Sequence, residues 1–227
     1  VKVSVIIPTL NEEEQLPKTI RHIRETSNLW DTEIIVIDAK SSDKTFTVAI
    51  SAADHVELAK INGRGAQLHQ GALKATGELL LFLHADTILP ENWQEALRRA
   101  WMLPVQPPAT AFRLGFDDPS LFFRFLALID HWKTLATRVP YGDQAIAIAR
   151  SVYFQIGGFP PVPLFEEHYL FARLKPFGIV RILPEKVLTS ARRYKKNGPL
   201  FNACKNLVLA CLFSLGVSPR FLARIYK

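Results

Sequence analysis

The sequence predicts an α/β fold with a mostly parallel central sheet flanked by helices, and three observations predict it. Two short β-branched apolar runs, VKVSVIIP at the start and EIIVID at Glu33 to Asp38, read as strands buried on both faces. Between them Pro17 can open a helix that carries Leu16, Ile20 and Ile23 on one face, because proline suits a first helical turn. Strand and helix patterns then keep alternating through the first hundred residues, which is the signature of βαβ units and a parallel sheet.

The elements follow in order. Another helix precedes a weaker strand at His55 to Leu58, Arg64 to Ala75 reads as a helix, and ELLLFLHAD from Glu78 to Asp86 is the strongest strand. Beyond Trp101 a proline-rich connection (Pro104, Pro107, Pro108) leads to a strand around Thr110 to Phe116 and an apolar helix from Ser120 to Leu135. AIAIA at Ala145 to Ala149 reads as a strand, Ser151 opens a helix ending at Gly157-Gly158, and Glu166 to Lys175 forms a helix before Pro176. The segment from Leu200 to Val217 begins amphipathic, with Asn202, Lys205 and Asn206 on one face, then Leu209 and Phe213 continue that face in apolar form. It is too short and too polar at its start to span a bilayer, so it is either docked on the domain or lying in a membrane interface.

Length and composition bound the rest. At 227 residues, 48% of them hydrophobic, the chain suits one domain over residues 1–227, its pattern changing from strand–helix alternation over residues 1–100 to a mixed order over 101–227. A net charge of +7 favours anionic partners without choosing among them. The two cysteines, Cys204 and Cys211, stand seven apart with no zinc-ligand spacing, which excludes a disulfide framework and a structural zinc. No basic stretch followed by an apolar run signals secretion, although Val1 in place of Met leaves open whether a leader was removed. The expected setting is the cytoplasm, with the inner face of a membrane as a second option.

Ligands of parallel sheets bind at the carboxyl ends of the strands, so the acids there come first. Asp38 offers a hydrogen-bond acceptor to a nucleoside, and Asp86 suits Mn²⁺ or Mg²⁺ held jointly with phosphate oxygens. Either could equally be a turn or cap residue. The loop PTLNEEE, with Pro8, Thr9, Asn11 and Glu12, faces the same edge; its three glutamates argue against a phosphate loop, and neither GxxxxGK[ST] nor GxGxxG occurs. Asn62-Gly63-Arg64-Gly65 is a turn that could bring Arg64 to an anion, and Glu166 or Glu167 could take a proton from an acceptor hydroxyl or merely favour a helix N-terminus. The run Arg192-Arg193-Tyr194-Lys195-Lys196 suits a diphosphate or lipid headgroups, or is simply solvated.

Read in order, VSVIIPTLNEEE, VIDAKSSDKT, NGRG, ATGELLLFL, HAD and GGF followed by an acidic pair resemble the inverting family 2 glycosyltransferases of the GT-A fold, along nearly the whole chain. The resemblance implies a nucleotide-sugar donor (UDP- or GDP-sugar), with Asp38 on the nucleoside, Arg64 near the base or phosphates, Ala85 and Asp86 in the metal motif, and Glu167 as general base. Two departures stand out. His84 replaces the first aspartate of the usual Asp-x-Asp, and Glu167 occupies an aspartate position, so that neighbouring Glu166 could take over the base role. More narrowly, HADT, GDQAI from Gly142, GGFP and the arginine pair before an aromatic resemble a bacterial subgroup labelled arsenosugar-biosynthesis glycosyltransferases. By that analogy Asp143, Gln144, Arg192, Arg193 and Tyr194 lie on the acceptor side, and the acceptor is a small molecule or a lipid-linked one.

Two rival readings follow from the same residues. A sugar-nucleotide pyrophosphorylase would need a glycine- and arginine-rich loop that PTLNEEE does not supply. A non-catalytic module for anionic membranes or nucleic acid would explain the charge but leave the strand-end acids unexplained, and nucleic acid is not an expected partner.

Overall fold

The computed structural model describes residues 1–196 and 198–226. The first apolar run forms β1 (Lys2–Thr9), the Pro17 helix is α1 (Leu16–Thr26), and the second run forms β2 (Asp31–Asp38), parallel to β1 with Ile6 opposite Ile35. Helix α2 (Thr45–Ala52), strand β3 (His55–Leu58) and helix α3 (Arg64–Lys74) complete the next unit, and β4 (Leu79–Phe82) lies parallel to β1 on its other side.

The strand expected over residues 78–86 is shorter than its apolar run. After Phe82 only the Leu83 N–H still reaches across, to the Ile6 carbonyl at 3.0 Å; the chain then turns, the His84 carbonyl accepting from the Thr87 N–H at 3.2 Å. The two-residue strand β5 (Thr87–Ile88) leaves in a new direction. Asp86 therefore sits in a turn beyond β4, not at the strand's lip.

The second half continues with α4 (Trp93–Trp101), β6 (Ala109–Phe116), α5 (Leu121–Thr137), β7 (Ile146–Ala149), α6 (Arg150–Gln155) and α7 (Glu166–Leu174). Strand β8 (Arg181–Thr189) and helices α8 (Arg192–Lys196), α9 (Pro199–Ser214) and α10 (Pro219–Tyr226) close the chain. All eight strands share one sheet, ordered β3-β2-β1-β4-β7-β6-β8-β5. Pairing is parallel from β3 through β4 and between β6 and β8, and antiparallel at β4·β7, β6·β7 and β5·β8. The sheet is thus parallel where the sequence alternates and mixed beyond it.

Side chains alternate across the sheet with period two, which divides the core. Val3, Val5, Ile7, Ile34 and Val36 pack with Leu16, Ile20 and Ile23 of α1 and Trp93 and Leu97 of α4. Ile6, Ile35, Ile37 and Phe82 pack on the other face with Leu68 of α3 and Leu170 and Phe171 of α7. Helix α3 lies so close to β1 that a Cβ on Gly71 would stand 2.4 Å from Ile6 Cγ2, so only glycine fits there.

Helix α9, expected either docked on the domain or lying in a membrane interface, contacts the domain through one face and leaves the other exposed. The face predicted from Asn202, Asn206, Leu209 and Phe213 is the one that docks: the Asn202 amide donates to the carbonyls of Arg193 and Tyr194, Asn206 to the Tyr194 hydroxyl, Leu209 is buried, and Phe213 stacks on Phe165 at 4.4 Å. The opposite face, with Leu200, Phe201, Leu207 and Val208, is exposed. Among the described residues no helix is long and apolar enough to cross a membrane.

Candidate functional site

Two loops at the carboxyl ends of β1 and β2 are laced together before any ligand arrives. Asn11, at φ 55°, accepts from the Ser42 N–H at 2.9 Å while its own N–H donates to Ser41 Oγ at 2.8 Å, and the Glu12 N–H donates to Thr45 Oγ1 at 2.8 Å. Just ahead of α2, Asp43 accepts from the Thr45 N–H at 2.9 Å. Pro8, Thr9, Asn11 and Glu12 all line a cleft of about 1190 Å³, together with Arg64, Ala85, Asp86, Asp143, Glu167, Arg192, Arg193 and Tyr194. That volume exceeds the ~300–1,000 Å³ of a single small-ligand pocket, leaving room for two reactants.

Asp38 departs from its expected place. It is fully buried, and its carboxylate accepts from Thr9 Oγ1 at 2.9 Å, Ser41 Oγ at 2.5 Å and the Ser41 N–H at 2.8 Å. Ala39, not Asp38, lines the cleft. The strand end points Asp38 into the joint between the loops, where it shapes the wall a nucleoside would meet.

Four acids, Glu12, Asp86, Asp143 and Glu167, and three arginines, Arg64, Arg192 and Arg193, dominate the floor. Glu12, buried, accepts from Arg192 and Arg193 at 2.6 Å each, and Arg193 Nε stands 3.8 Å from an Asp86 carboxylate oxygen. These two arginines, expected on the acceptor side, line the cleft and reach from α8 to the loop after β1, while Tyr194 beside them is held edge-on by Phe116 and Phe123. Tyr194 itself remains between β6, α5 and α9. Arg64 Nε donates to Glu166 at 2.5 Å and its terminal nitrogen to Glu167 at 3.3 Å.

Glu167 and Glu166 are both buried at the start of α7, but only Glu167 lines the cleft. Glu167 Oε1 accepts from the Gly142 N–H at 3.0 Å and from Arg64, while Oε2 is buried with no hydrogen-bond partner in the protein. Burial pushes the Glu167 carboxyl up to about 7, Arg64 opposing the rise and Glu166 adding to it. Glu166 is tied to Arg64 and does not line the cleft. A Cβ on Gly142 would stand 2.5 Å from His84 Nε2 and 3.0 Å from Glu167 Oε1, so these two side chains converge on one glycine.

Gln144 does not face the cleft. It is fully buried, its amide oxygen accepting from the Tyr141 N–H and the Thr134 hydroxyl and its nitrogen donating to the Phe112 carbonyl. Asp143 lines the cleft, with one oxygen lacking a partner, and burial and Asp130 push its carboxyl up to about 6. Sequence reasoning missed Tyr141, whose hydroxyl meets His168 Nε2 at 3.0 Å, and Lys133 of α5, which sits 4.0 Å over the Tyr141 ring. Tyr141 directly precedes the GDQAI stretch, and that adjacency was the available signal; Lys133 looked like any helix-surface lysine.

A divalent cation is tested by the donor set. Among the described residues no cluster of three His, Cys, Asp or Glu could cage a metal alone. Burial raises the Asp86 carboxyl, and burial with Arg64 and Arg193 nearby keeps His84 neutral, its Nε2 buried without a partner. One carboxylate at the cleft suits a cation whose other ligands are diphosphate oxygens and water, the usual arrangement for Mg²⁺ with a phosphate substrate, so the residues fit a jointly held ion and not a resident one.

Known proteins bear on this geometry. The sequence model of Glycosyl transferase family 2 matches residues 4–107. Over 101 residues the chain is 33% identical to dolichyl-phosphate beta-glucosyltransferase ALG5A of Trichomonas vaginalis, covering 38% of this chain and 31% of that one. Over 94 residues it is 35% identical to the undecaprenyl-phosphate 4-deoxy-4-formamido-L-arabinose transferase of an Enterobacter species, covering 37% and 29%. These matches span about three tenths of the relatives' length. The fold is similar to mannosyltransferase PcManGT from Pyrobaculum calidifontis in complex with GDP-Man and Mn²⁺ (TM-score 0.61, 22% identity, 82% of this chain and 56% of that one). It is equally similar to glucosyl-3-phosphoglycerate synthase from Mycobacterium tuberculosis with Mn²⁺ and UDP-Glc (TM-score 0.61, 20% identity, 82% and 69%).

Proposed function

We propose, from the match of residues 4–107 to Glycosyl transferase family 2 and the likeness in fold to nucleotide-sugar-bound transferases, an enzyme that transfers a sugar from a UDP- or GDP-sugar to an acceptor hydroxyl with inversion. The observation that carries this reading is the convergence in one cleft of Glu167, with its unpaired buried oxygen, and the Asp86, Arg192 and Arg193 group across the floor.

The laced loops after β1 and β2 form the wall for the nucleoside, and Arg192 and Arg193 exchange Glu12 for the donor diphosphate. Asp86 would hold Mn²⁺ or Mg²⁺ jointly with that diphosphate, and such an ion, when bound, offsets the charge of the leaving group. Glu167 Oε2 takes the proton of the acceptor hydroxyl, whose oxygen bonds to the anomeric carbon from the face opposite the departing diphosphate. Gly142 N–H and Arg64 hold Glu167 Oε1 so that the other oxygen is the one presented.

Two acceptor classes fit, a small-molecule hydroxyl such as arsenosugar formation requires and a lipid-linked one. The second is favoured by the apolar outer walls of the cleft, with Leu126 and Ile129 of α5 facing Leu207 and Ala210 of α9, and by relatives named for polyprenyl phosphates. The thermal midpoint of the purified chain, measured against UDP, GDP and their sugars with and without Mn²⁺, tests the donor site. One nucleotide should raise the midpoint in a metal-dependent way, and Asp86→Asn should remove the metal dependence. A folded protein that no nucleotide stabilises sinks the reading.

A further inference from the structure

Helix α5 carries an apolar stripe that nothing in the fold covers. Leu121, Phe125, Leu128, Ile129 and Trp132 fall at i, i+4, i+7, i+8 and i+11, one helical face, and all five are exposed, Trp132 at 63% and Leu121 at 80%. The buried side of the helix is met instead by Phe123 and Thr134. Across the cleft mouth, α9 turns out Leu200, Phe201, Leu207 and Val208, and α10 adds Phe221 and Ile225. Ile129 and Leu207 belong to both surfaces: each lines the cleft and each is exposed, so the two apolar faces meet at a common rim. Isolated exposed leucines need no explanation, but two continuous stripes flanking one opening do.

The charge of the chain says what covers them. Before Ser190 there are twenty Lys and Arg against twenty-one Asp and Glu; from Ser190 onward there are eight against none. The whole excess of positive charge therefore resides in the segment that carries α8, α9 and α10, where Lys196, Arg220 and Arg224 are exposed beside the apolar face. The apolar faces of α9 and α10, bordered by cations in a segment without acids, are complementary to a bilayer with anionic headgroups, which takes the side chains into its acyl boundary and the cations at its surface; on α5 the one acid, Asp130, is paired with Lys133. A second copy of this chain would bring like charge against like.

We propose that α5, α9 and α10 form a seat for an anionic lipid bilayer, with the cleft mouth opening onto the membrane between the α5 and α9 stripes. The seat involves α5 as much as the C-terminal helices and stands apart from sugar transfer, because it uses no residue assigned to donor binding or catalysis. Arrival of an acceptor from the bilayer plane follows only if the transferase reading also holds.

Flotation with phosphatidylcholine vesicles, with and without phosphatidylglycerol, tests the seat in the absence of any donor. The full chain should float with the anionic vesicles, less as salt is raised. Phe125→Asp with Trp132→Asp should lower the partition coefficient on the order of a hundredfold, since two large apolar burials are lost, while the thermal midpoint stays unchanged. Should that pair impair folding, the wild-type chain still decides: brominated lipids should quench a fluorescence component that Trp132→Phe removes, because Trp93 and Trp101 are buried and Trp30 is partly buried against the core. Failure of the wild-type chain to float, flotation undiminished in the folded α5 variant, or light scattering showing a dimer that the α5 substitutions dissolve without vesicle binding would each overturn the proposal.

Discussion

In the proposed transfer Glu167 is the base, and its protonation has two consequences of opposite sign. A general base must be ionised, so the rate should rise as pH passes through about 7 and level above it. Stability runs the other way. The folded-state value lies above the ordinary 4.5, so the fold favours the neutral acid; this contribution is complete below 4.5 and is lost as pH rises through about 7. Glu167→Gln should lower kcat by about 10²-fold or more, abolish the rising limb, and flatten the pH dependence of the thermal midpoint between pH 5 and about 8. A variant that keeps the same rising limb would move the base elsewhere. Glu12 poses a second question at this scale, since a buried carboxylate held by two arginines becomes costly when they go. Removing both Arg192 and Arg193 should destabilise the chain by ~1–3 kcal/mol, discounted because both guanidinium groups are partly exposed, whereas Glu12→Gln in the same background should restore most of the loss. Urea unfolding of the three variants checks it.

Among the elements, α8 is short and charged yet positions the two arginines that meet Glu12, and what holds it is Tyr194 between Phe116, Phe123 and Asn206. Tyr194→Ala should cost about 0.5–1.5 kcal/mol beyond lost burial and raise the donor KM more than it lowers kcat, as steady-state kinetics would show. Gly142→Ala should act on the opposite wall, where the added methyl meets His84 and Glu167; a loss of ~1–3 kcal/mol with a sharp fall in kcat is expected. These elements also mark how far the sequence could be read. Strands β1 and β2 and helix α1 were legible because continuous apolar runs and a period of 3.6 have one structural meaning each. Strand β8 was not: Pro184 interrupts it, and the structure absorbs that proline where the β6 register jumps between Ala111 and Arg113, a tertiary accommodation no local pattern announces. The strand read over residues 78–86 ran past its true break, the turn at His84, because that turn lacks glycine or proline. Site residues followed the same rule. Their types and order were visible, but Gln144 turned inward, Asp38 faced a loop joint and Arg192 crossed to Glu12 because side-chain direction is decided by packing, which spacing along the chain does not encode.

Over the whole molecule, charge is divided as the cleft is divided. A nearly neutral body, with its acids at Glu12, Asp86 and Glu167, faces a C-terminal segment that holds the entire positive excess. A nucleotide diphosphate approaching this opening is repelled by the floor and attracted by the rim, so the rim should govern arrival and the floor arginines retention. The two contributions are separable. Arg220 and Arg224 are exposed on α10 and do not line the cleft, so replacing both with Gln should slow association of a fluorescent nucleotide several-fold at low salt and leave dissociation unchanged. Arg192→Gln, at the floor, should chiefly speed dissociation. Raising ionic strength should erase the first difference, since charges beyond about 10 Å are screened at 0.1 M salt, and leave most of the second, because the Arg192 contact is close and partly buried. Stopped-flow traces at two salt concentrations decide the matter: equal salt sensitivity of association in the wild-type chain and the Arg220/Arg224 variant would mean that the C-terminal charge serves the membrane seat alone and plays no part in drawing the donor in.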